Sequence, residues 1–283
     1  MALHSRRLTL GQRRAIWAYI FLIVPLLFFI TIRFAPTLFA MSVSLFKWDI
    51  LSPNKPWMGL KNYETLFADP VFWKSLTNTL LYVALSVPFQ LVLGLAFALL
   101  LQAVAQLKSF FRALYFVPFV TSTVAISWVW RWIYQPTFGP LNKLLALVGL
   151  PDLKYLASPD EALPSIVVVL VWQALGFYVI IFLAGLEAIP VDFYEAAKID
   201  GARAWDLLRH ITLPLLNPTI VFLTVIGTIN GIQVFTQVLN MSFQGMGGPL
   251  DSTKSLVLFI YQQGFQSFKM GYASAGTVVL FAI

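Results

Sequence analysis

Residues 191–218 read VDFYEAAKIDGARAWDLLRHITLPLLNP and lie between two apolar runs, 162–186 and 218–240. The stretch mixes acidic, basic and small residues, whereas the runs on either side contain no charged residue. A run of about 20 apolar residues is long enough to cross a bilayer. Residues 191–218 are therefore predicted to form an exposed connection between two membrane helices.

This connection contains two helix signals separated by a turn signal. Asp192, followed three residues later by Glu195, is typical of a capped helix N-terminus. Gly201 permits a backbone turn that other residues resist, and residues 203–210 can form a second short helix. Pro214 is expected to end that helix. The prediction is a short helix, a glycine turn and another short helix.

The composition of the whole chain is that of a membrane protein. Of its 283 residues, 59% are hydrophobic and 11% are charged, whereas a soluble domain carries about 25% charged residues. The absence of cysteine excludes disulfides, a thiolate nucleophile and a cysteine-based metal site. The formal charge of +7 comes from basic residues scattered among apolar runs, so membrane topology explains it better than a nucleic-acid partner does.

Six apolar runs predict six membrane-spanning helices. The first run could be a secretory signal, but large apolar residues continue past Arg33, which favours a retained helix. The last run is interrupted near Phe268 and Lys269 and stops at Ile283, as expected for a truncated chain or a partly re-entrant helix. The predicted spans are residues 15–32, 75–107 (ending near Gln102), 113–130, 162–186, 218–240 and 255–283.

Positive charge near the N-terminus predicts the orientation of the chain. Residues 1–14 contain four arginines and no acid, so this basic segment should stay in the cytoplasm. Residues 15–283 then form a single transmembrane domain in a cell (inner or plasma) membrane, with the connection at 187–217 on the cytoplasmic side. Outer loops are expected at 47–74, 135–161 and 241–254. The four arginines are Arg6, Arg7, Arg13 and Arg14.

Several kinds of function are disfavoured by what the sequence lacks. No Asp or Glu lies inside a predicted span, which argues against proton coupling and, less strongly, against sodium coupling. No P-loop, zinc-protease or serine-hydrolase motif is present, so neither a catalytic site nor a metal site is predicted. The run Gly245–Gly248 resembles a phosphate loop but lacks the Lys-Ser/Thr pair, and is interpreted as an outer turn. Energy for uphill transport would have to come from another chain.

The connection at 191–218 resembles the EAA loop of binding-protein-dependent ABC importers. The similarity lies in Glu195-Ala196-Ala197, in Gly201 four residues beyond, and in Ile211-Thr212-Leu213-Pro214. Further segments are similar to the carbohydrate branch of that family, with its maltose (MalF-like) and glycerol-phosphate (UgpA-like) members. These segments are residues 57–63, 130–139, and 233–237 with 247–249. The likeness covers most of the chain from about residue 15.

The resemblance implies an all-α membrane protein with six transmembrane helices and the type I ABC importer (MetI-like) permease fold. In that family the EAA loop is the coupling helix, which docks in a cleft of a cytoplasmic ATPase. Its glutamate would supply charge, its alanines close packing, and its glycine the angle between two short helices. The residues implied to dock are Glu195, Ala196, Ala197 and Gly201, followed by Asp200, Arg203 and Pro214.

The resemblance also implies the partners of such a subunit. These are a second homologous permease, expected to differ from this chain, two ATPase subunits, an external solute-binding protein and membrane lipid. This chain would carry no cofactor, because its partners would bind ATP and magnesium. ATP-driven closure of the ATPases would then switch the solute path between outward and inward openings.

A solute site is expected near the middle of the membrane, lined by uncharged polar groups and aromatic rings. Amides can both donate hydrogen bonds to hydroxyl groups and accept them, and a phenyl ring can stack on the apolar face of a sugar. The alternative is that such amides only join neighbouring helices. The candidates are Asn230, Gln233, Phe235 and Gln237 in the fifth run, and Tyr261 and Gln262 in the sixth.

Three functions remain open at this point. The first is a permease subunit that imports a sugar or an oligosaccharide delivered by an external solute-binding protein. The second is the same kind of importer for another solute, such as an amino acid or glycerol phosphate, which the EAA loop alone does not distinguish. The third is a secondary transporter or membrane scaffold without an ATPase, which stable co-purification with an ATPase would exclude.

Overall fold

A computed structural model describes residues 9–103, 108–242 and 246–283. Within these residues every regular element is a helix, which confirms the predicted all-α class. The helices divide into two compact units: one contains the chain up to Leu66 together with Gln263–Ile283, and the other is Phe67–Gln262. Arg6, Arg7 and Gly245, which the sequence analysis singled out, lie outside the described residues.

The first unit begins with a long apolar helix. α1 (Leu10–Phe29), a π-helical turn (Ile30–Phe34) and α2 (Ala35–Val43) follow one another without interruption. The predicted span 15–32 is too short at its C-terminal end, because Arg33 lies within the helix instead of following it. No residue of α1 is buried, as expected for a helix whose apolar side chains face lipid.

The rest of the first unit closes around the end of α2. Asn62, in α3 (Lys61–Ala68), donates hydrogen bonds to the carbonyls of Ser44 at 2.7 Å and Phe46 at 2.9 Å. The amide of Gly271, in the last helix, donates to the carbonyl of Trp48 at 2.9 Å. The bonds of Asn62 hold the segment after α2 against α3, and the bond of Gly271 holds it against the helix at Met270–Ala282.

The second unit is built around two long helices, α4 (Pro70–Ala103) and α8 (Pro159–Glu187), which pack against each other. α5 (Lys108–Val120) packs on α8, and α12 (Asn217–Ile232) packs on α4. Part of the apolar side chains of these segments forms the core between the helices, including Tyr82, Ile166 and Phe182, while others such as Phe89 and Val92 stay exposed on the outer surface.

Three helical runs of the described chain are long and apolar enough to cross a membrane by themselves. They are Leu10–Val43, Pro70–Gln102 and Pro159–Glu187. Two further candidates are pairs of helices joined at a sharp bend, Phe110–Val120 with Thr123–Ile133 (94°) and Ala204–Leu215 with Asn217–Ile232 (66°). The described helices thus supply between three and five spans.

The predicted third span, 113–130, is not a single helix. α5 ends at Val120, and α6 (Thr123–Ile133) starts after Ser122, whose φ and ψ of −53° and 122° are not helical. The break falls in a run of threonine and serine residues. Short hydroxyl side chains compete for backbone hydrogen bonds and favour helix starts over helix interiors, which accounts for its position.

The predicted fifth span is also broken. α12 ends at Ile232, and α13 (Thr236–Met241) starts after three non-helical residues. In the sixth run, α14 (Leu256–Tyr261) continues into a π-helical segment (Gln262–Gln266), and α15 (Met270–Ala282) follows. The interruption predicted near Phe268 is confirmed, because this residue lies between the two helices with a φ of +59°.

Two of the predicted outer loops contain helices. α3 and the first turn of α4 fall within 47–74, and α7 (Pro140–Leu147) falls within 135–161. Short 3₁₀ turns follow at Tyr155–Ala157 and Pro249–Asp251. Loop boundaries based on hydropathy missed these elements because short helices outside an apolar run carry no strong hydropathy signal.

Candidate functional site

The connection between α8 and α12 forms an elbow, defined as residues 191–212. α9 (Val191–Ile199) is its first arm, and Gly201 turns the chain with a φ of +84°. α10 (Ala204–Leu207) and a π-helical segment (Leu208–Thr212) form the second arm. The predicted helix, glycine turn and second helix are confirmed. Glycine adopts such a positive φ without the steric cost that other residues meet.

Two details of the predicted connection are wrong. The residue before α9 is Pro190, which offers no side-chain cap, and Asp192 lies in the first turn, where a carboxylate interacts favourably with the helix dipole. Pro214 does not end the second arm, because the helical run continues through α11 (Leu213–Leu215) and bends near Leu216. Pro214 has no amide hydrogen to donate within the helix. The wider π-helical turn before it accommodates this missing hydrogen bond.

The first arm has an outward face and an inward face. Val191, Glu195 and Ile199 are spaced four residues apart, so they share one side of the helix, and all three are exposed. Tyr194 and Ala197 are half-buried and face the interior of the unit. An exposed face that combines apolar side chains with a carboxylate is typical of a surface that meets another protein.

The other residues expected to dock lie around and beyond the glycine turn. Asp200 and Arg203 are exposed, and the Arg203 amide donates to the Asp206 carboxylate at 3.0 Å where α10 begins. Ala196 is exposed next to the outward face, and Pro214 is exposed beyond the elbow. Trp205, which the sequence analysis did not single out, exposes 66% of its surface on the second arm.

A cavity of about 310 Å³ lies within the second unit. Asn230, Gln233, Phe235 and Gln237, four of the six residues predicted for the solute site, line this cavity. The other lining residues come from α4, α5, α6, α8 and the same broken helix. The structure therefore brings the four candidates of the fifth run together around one space.

The break between α12 and α13 forms part of the cavity wall. Gln233 and Phe235 belong to the three non-helical residues of this break, and Asn230 and Gln237 lie one turn to either side. Irregular backbone at membrane depth is tolerated where it lines a cavity, and discontinuous helices commonly form the solute sites of transporters. The break therefore marks this cavity as a candidate solute site.

A chain of side-chain hydrogen bonds connects three helices at the cavity. The Gln237 amide donates to Gln173 at 3.1 Å, and the Gln173 amide donates to the Thr123 hydroxyl at 3.1 Å. Gln173 is buried in α8, with 8% of its surface exposed. This network fixes α13 and α6 against α8 and presents amide groups to the cavity.

Aromatic rings supply the apolar part of the wall. Phe119 and Phe177 both line the cavity and stack with their ring centroids 5.1 Å apart. Phe235 contacts Tyr261 at a centroid distance of 5.2 Å. Neither Tyr261 nor Gln262 is among the lining residues, so the two candidates of the sixth run lie behind the wall or away from it.

Sequence reasoning missed several polar residues of the cavity. Gln90 and Gln173 interrupt the second and fourth apolar runs, and both line the cavity. Polar residues inside membrane segments are functional candidates by default, so this signal could have found them. Nothing in the sequence distinguishes Ser86 or Thr123, which also line the cavity, from other hydroxyl residues of the spans.

The chemistry of this cavity is neutral and polar. The lining residues in the described part of the chain are amides, hydroxyls, small residues, rings and the aliphatic Leu170 and Val234, and none carries a charge. Over the same residues, no group of three or more His, Asp or Glu side chains is placed to hold a metal ion. The cavity can bind neutral hydroxyl groups through amides and the apolar faces of a ligand through phenyl rings.

Comparison with known proteins gives a consistent result over most of the chain. Residues 65–283 match the family model described as binding-protein-dependent transport system inner membrane component. Over 267 residues, 38% are identical to the probable ABC transporter permease protein YurN of Bacillus subtilis (strain 168), covering 93% of this chain and 90% of the relative. The trehalose/maltose transport system permease protein MalF of Thermococcus litoralis is 31% identical over 274 residues, covering 97% of this chain and 92% of the relative.

A solved structure has a similar fold. It is the crystal structure of a bacterial alginate ABC transporter in complex with an alginate pentasaccharide-bound periplasmic protein. One of its chains superimposes with a TM-score of 0.82 and 23% sequence identity, covering 95% of this chain and 92% of that chain. At this identity the likeness concerns the fold alone.

Proposed function

This chain belongs to the family of binding-protein-dependent transport system inner membrane components, and from that premise we propose that it conducts a sugar or an oligosaccharide through the cavity of its second unit. The observation that carries the proposal is the uncharged, amide- and phenyl-lined cavity at the break between α12 and α13. Hydroxyl-rich solutes need paired donors and acceptors together with apolar ring contacts. The relative that transports trehalose and maltose supports this solute class.

The chain is a multi-pass membrane protein and a permease subunit, and we propose the orientation that the basic N-terminus predicts. In this arrangement residues 1–14 and the elbow face the cytoplasm, and α7 lies on the outside. Six spans result if the helices between Leu256 and Ala282 cross the membrane as one broken unit. The interruption at Phe268 supports a discontinuous last span.

We also propose the partners that this role requires. The outward face of α9, with Glu195 between Val191 and Ile199, docks on an ATPase subunit that binds ATP and magnesium. A second permease, different from this chain, completes the pathway, and an external solute-binding protein delivers the sugar. The crystal structure of the alginate transporter contains such a periplasmic protein, bound to an alginate pentasaccharide.

In this mechanism the chain carries no catalytic step. ATP binding by the ATPases moves the elbow, and the helices attached to it change which side of the membrane reaches the cavity. Gln173, Gln233 and Gln237 hold solute hydroxyls, while the phenyl rings contact the apolar faces of the sugar. A second importer function, for amino acids or glycerol phosphate, fits this cavity less well, because no charged side chain is among its described lining residues to pair with such solutes.

The test is uptake by the assembled transporter in proteoliposomes. We expect ATP-dependent uptake of neutral sugars or oligosaccharides, with no uptake of amino acids or glycerol phosphate. Gln233→Ala should change the profile of transported sugars while the ATPase subunits remain bound. An unchanged profile would remove Gln233 from the solute site, and uptake restricted to charged solutes would overturn the sugar proposal.

A further inference from the structure

A hydrogen bond joins the two arms of the elbow on its inward side. Tyr194 lies on the inward face of α9, and its hydroxyl is 3.1 Å from the hydroxyl of Thr212 at the end of the second arm. Thr212 is buried, with 4% of its surface exposed. The two residues lie on opposite sides of the Gly201 turn, so this bond closes the elbow.

The direction of this hydrogen bond follows from the second contact of Thr212. Its hydroxyl lies 3.2 Å from the carbonyl of Leu207, which can only accept a hydrogen bond. The single hydrogen of the Thr212 hydroxyl is therefore used in that bond. Tyr194 must be the donor to Thr212, and the result is a relay from the Tyr194 hydroxyl through Thr212 to the backbone of α10.

The turn itself offers little resistance to bending. Apart from Gly201 and its two chain neighbours, no atom lies within 4 Å of the position that a Cβ at Gly201 would occupy, so no other part of the unit packs against that side of the turn. The nearby backbone bond from the Ala202 amide to the Ala197 carbonyl, at 2.9 Å, closes the end of α9 but does not reach the second arm. Among the described residues, the bond from Tyr194 to Thr212 is the side-chain hydrogen bond that joins the two arms.

The same part of the molecule connects the elbow to the cavity through one apolar cluster. Tyr194 packs against this cluster, and Leu216, near the 66° bend into α12, is fully buried in it. The cluster continues to Phe177 and Tyr178, which line the cavity. A displacement of the elbow as one body would thus reach the cavity wall through packed side chains.

We propose that Tyr194 is a positioning residue for coupling, because its relay through Thr212 makes the two arms of the elbow move together. The inference rests on the proposed function, since it assumes that an ATPase moves α9. Without the Tyr194 hydroxyl, the ATPase still docks on the outward face, but part of the movement is absorbed by rotation at Gly201. ATP is then hydrolysed with less solute transported.

The experiment compares conservative variants of the assembled transporter in proteoliposomes, with its partner permease, ATPases and binding protein. Tyr194→Phe removes only the donor hydroxyl, and Thr212→Ser keeps the relay while Thr212→Val breaks it. Tyr155→Phe is the matched control, because the Tyr155 hydroxyl has no hydrogen-bond partner in the described residues. Solute uptake and ATP hydrolysis are measured on the same preparations, together with the amount of bound ATPase.

The expected result is a lower ratio of solute transported to ATP hydrolysed in Tyr194→Phe and Thr212→Val. The ratio should fall about threefold to tenfold, the size expected from the loss of one buried neutral hydrogen bond. Thr212→Ser and Tyr155→Phe should keep the parental ratio, and the double variant Tyr194→Phe/Thr212→Val should be no worse than Thr212→Val alone.

Two results would overturn the relay. A parental ratio in Tyr194→Phe would show that the hydroxyl does not brace the elbow, and loss of ATPase binding in this variant would assign Tyr194 to docking instead. Both differ from failure of the proposed function, in which the unmodified chain itself would bind no ATPase and show no ATP-dependent uptake.

Discussion

Gly201 shows how the backbone conformation of one residue limits what can replace it. Its φ of +84° lies in the left-handed region, yet the space around it is open. A side chain there would meet backbone strain and no collision. For a residue other than glycine this backbone strain amounts to about 1–2 kcal/mol. The strain would arise at the turn that sets the angle between the two arms of the elbow.

We therefore expect Gly201→Val to reduce ATP-dependent uptake about tenfold while membrane insertion survives, since 1–2 kcal/mol of strain corresponds to a change of this order. Gly149→Val is a matched control, because Gly149 has a φ of +73° and equally open surroundings beyond α7. Uptake and the amount of chain in the membrane are measured for both. Equal loss of uptake in the two variants would contradict a special role for the elbow.

At the cavity, Gln173 is the residue on which the hydrogen-bond network depends. Gln173→Leu keeps the approximate size of the side chain but leaves Gln237 and Thr123 without this partner. Loss of such buried bonds costs about 1–3 kcal/mol, so sugar uptake should fall at least tenfold with the ATPase still bound. Gln102→Leu, at an exposed site near the end of α4, should leave uptake unchanged; a similar loss there would point to a general effect of removing an amide.

The residues of the two candidate sites differ in how well the sequence predicts them. The helix, turn and helix of the elbow can be predicted from the sequence because its helix-forming residues, its glycine and its prolines act on the local backbone. Asn230, Gln233, Phe235 and Gln237 are predicted because they are the amides and a phenyl ring of one apolar run, and the structure brings them to one cavity. Gln90 and Gln173 were missed because their arrival at the same cavity depends on how α4 and α8 pack, which no single run encodes.

Hydropathy does not show the helix breaks in the third and fifth predicted spans. An apolar run has the same hydropathy whether its helix is straight or bent by 94°. Hydropathy measures the free energy of transferring side chains to lipid and carries no information on backbone direction. The break at Phe268 was visible because Lys269 interrupts the apolar run there. Each break that hydropathy missed borders the cavity, where Thr123 and Gln233 lie.

Packing between α5 and α8 should depend on Gly176. A side chain at this position would collide with the backbone carbonyl of Tyr115, and backbone cannot move away as a flexible side chain can. Gly176→Leu is expected to destabilise the protein by about 1–3 kcal/mol or more, the usual cost of overpacking. Ala184→Leu, at an exposed position of the same helix, should have little effect. Thermal unfolding in detergent compares the two, and equal midpoints would contradict close packing at Gly176.

At the scale of the whole molecule, direction of transport depends on which side of the membrane each loop faces. The elbow and α7 are separated along the chain by α8, a continuous run long enough to cross the bilayer. If α8 spans the membrane, the two must lie on opposite sides, whatever the count of the remaining spans. The proposed function further requires the elbow to be the cytoplasmic one, since ATP is available there.

Because the chain contains no cysteine, single cysteines can report this topology without background. Ile199 on the elbow and Leu147 at the end of α7 expose 87% and 82% of their surfaces, so either can be replaced with little cost to packing. In intact cells that lack the ATPase subunits, which would otherwise cover Ile199, we expect a membrane-impermeant maleimide to label Leu147→Cys and to leave Ile199→Cys unlabelled until the membrane is opened. Labelling of both cysteines from outside would show that α8 does not span the membrane. The reverse pattern would keep α8 but place the elbow where no ATPase could reach it, and the importer mechanism would fail with it.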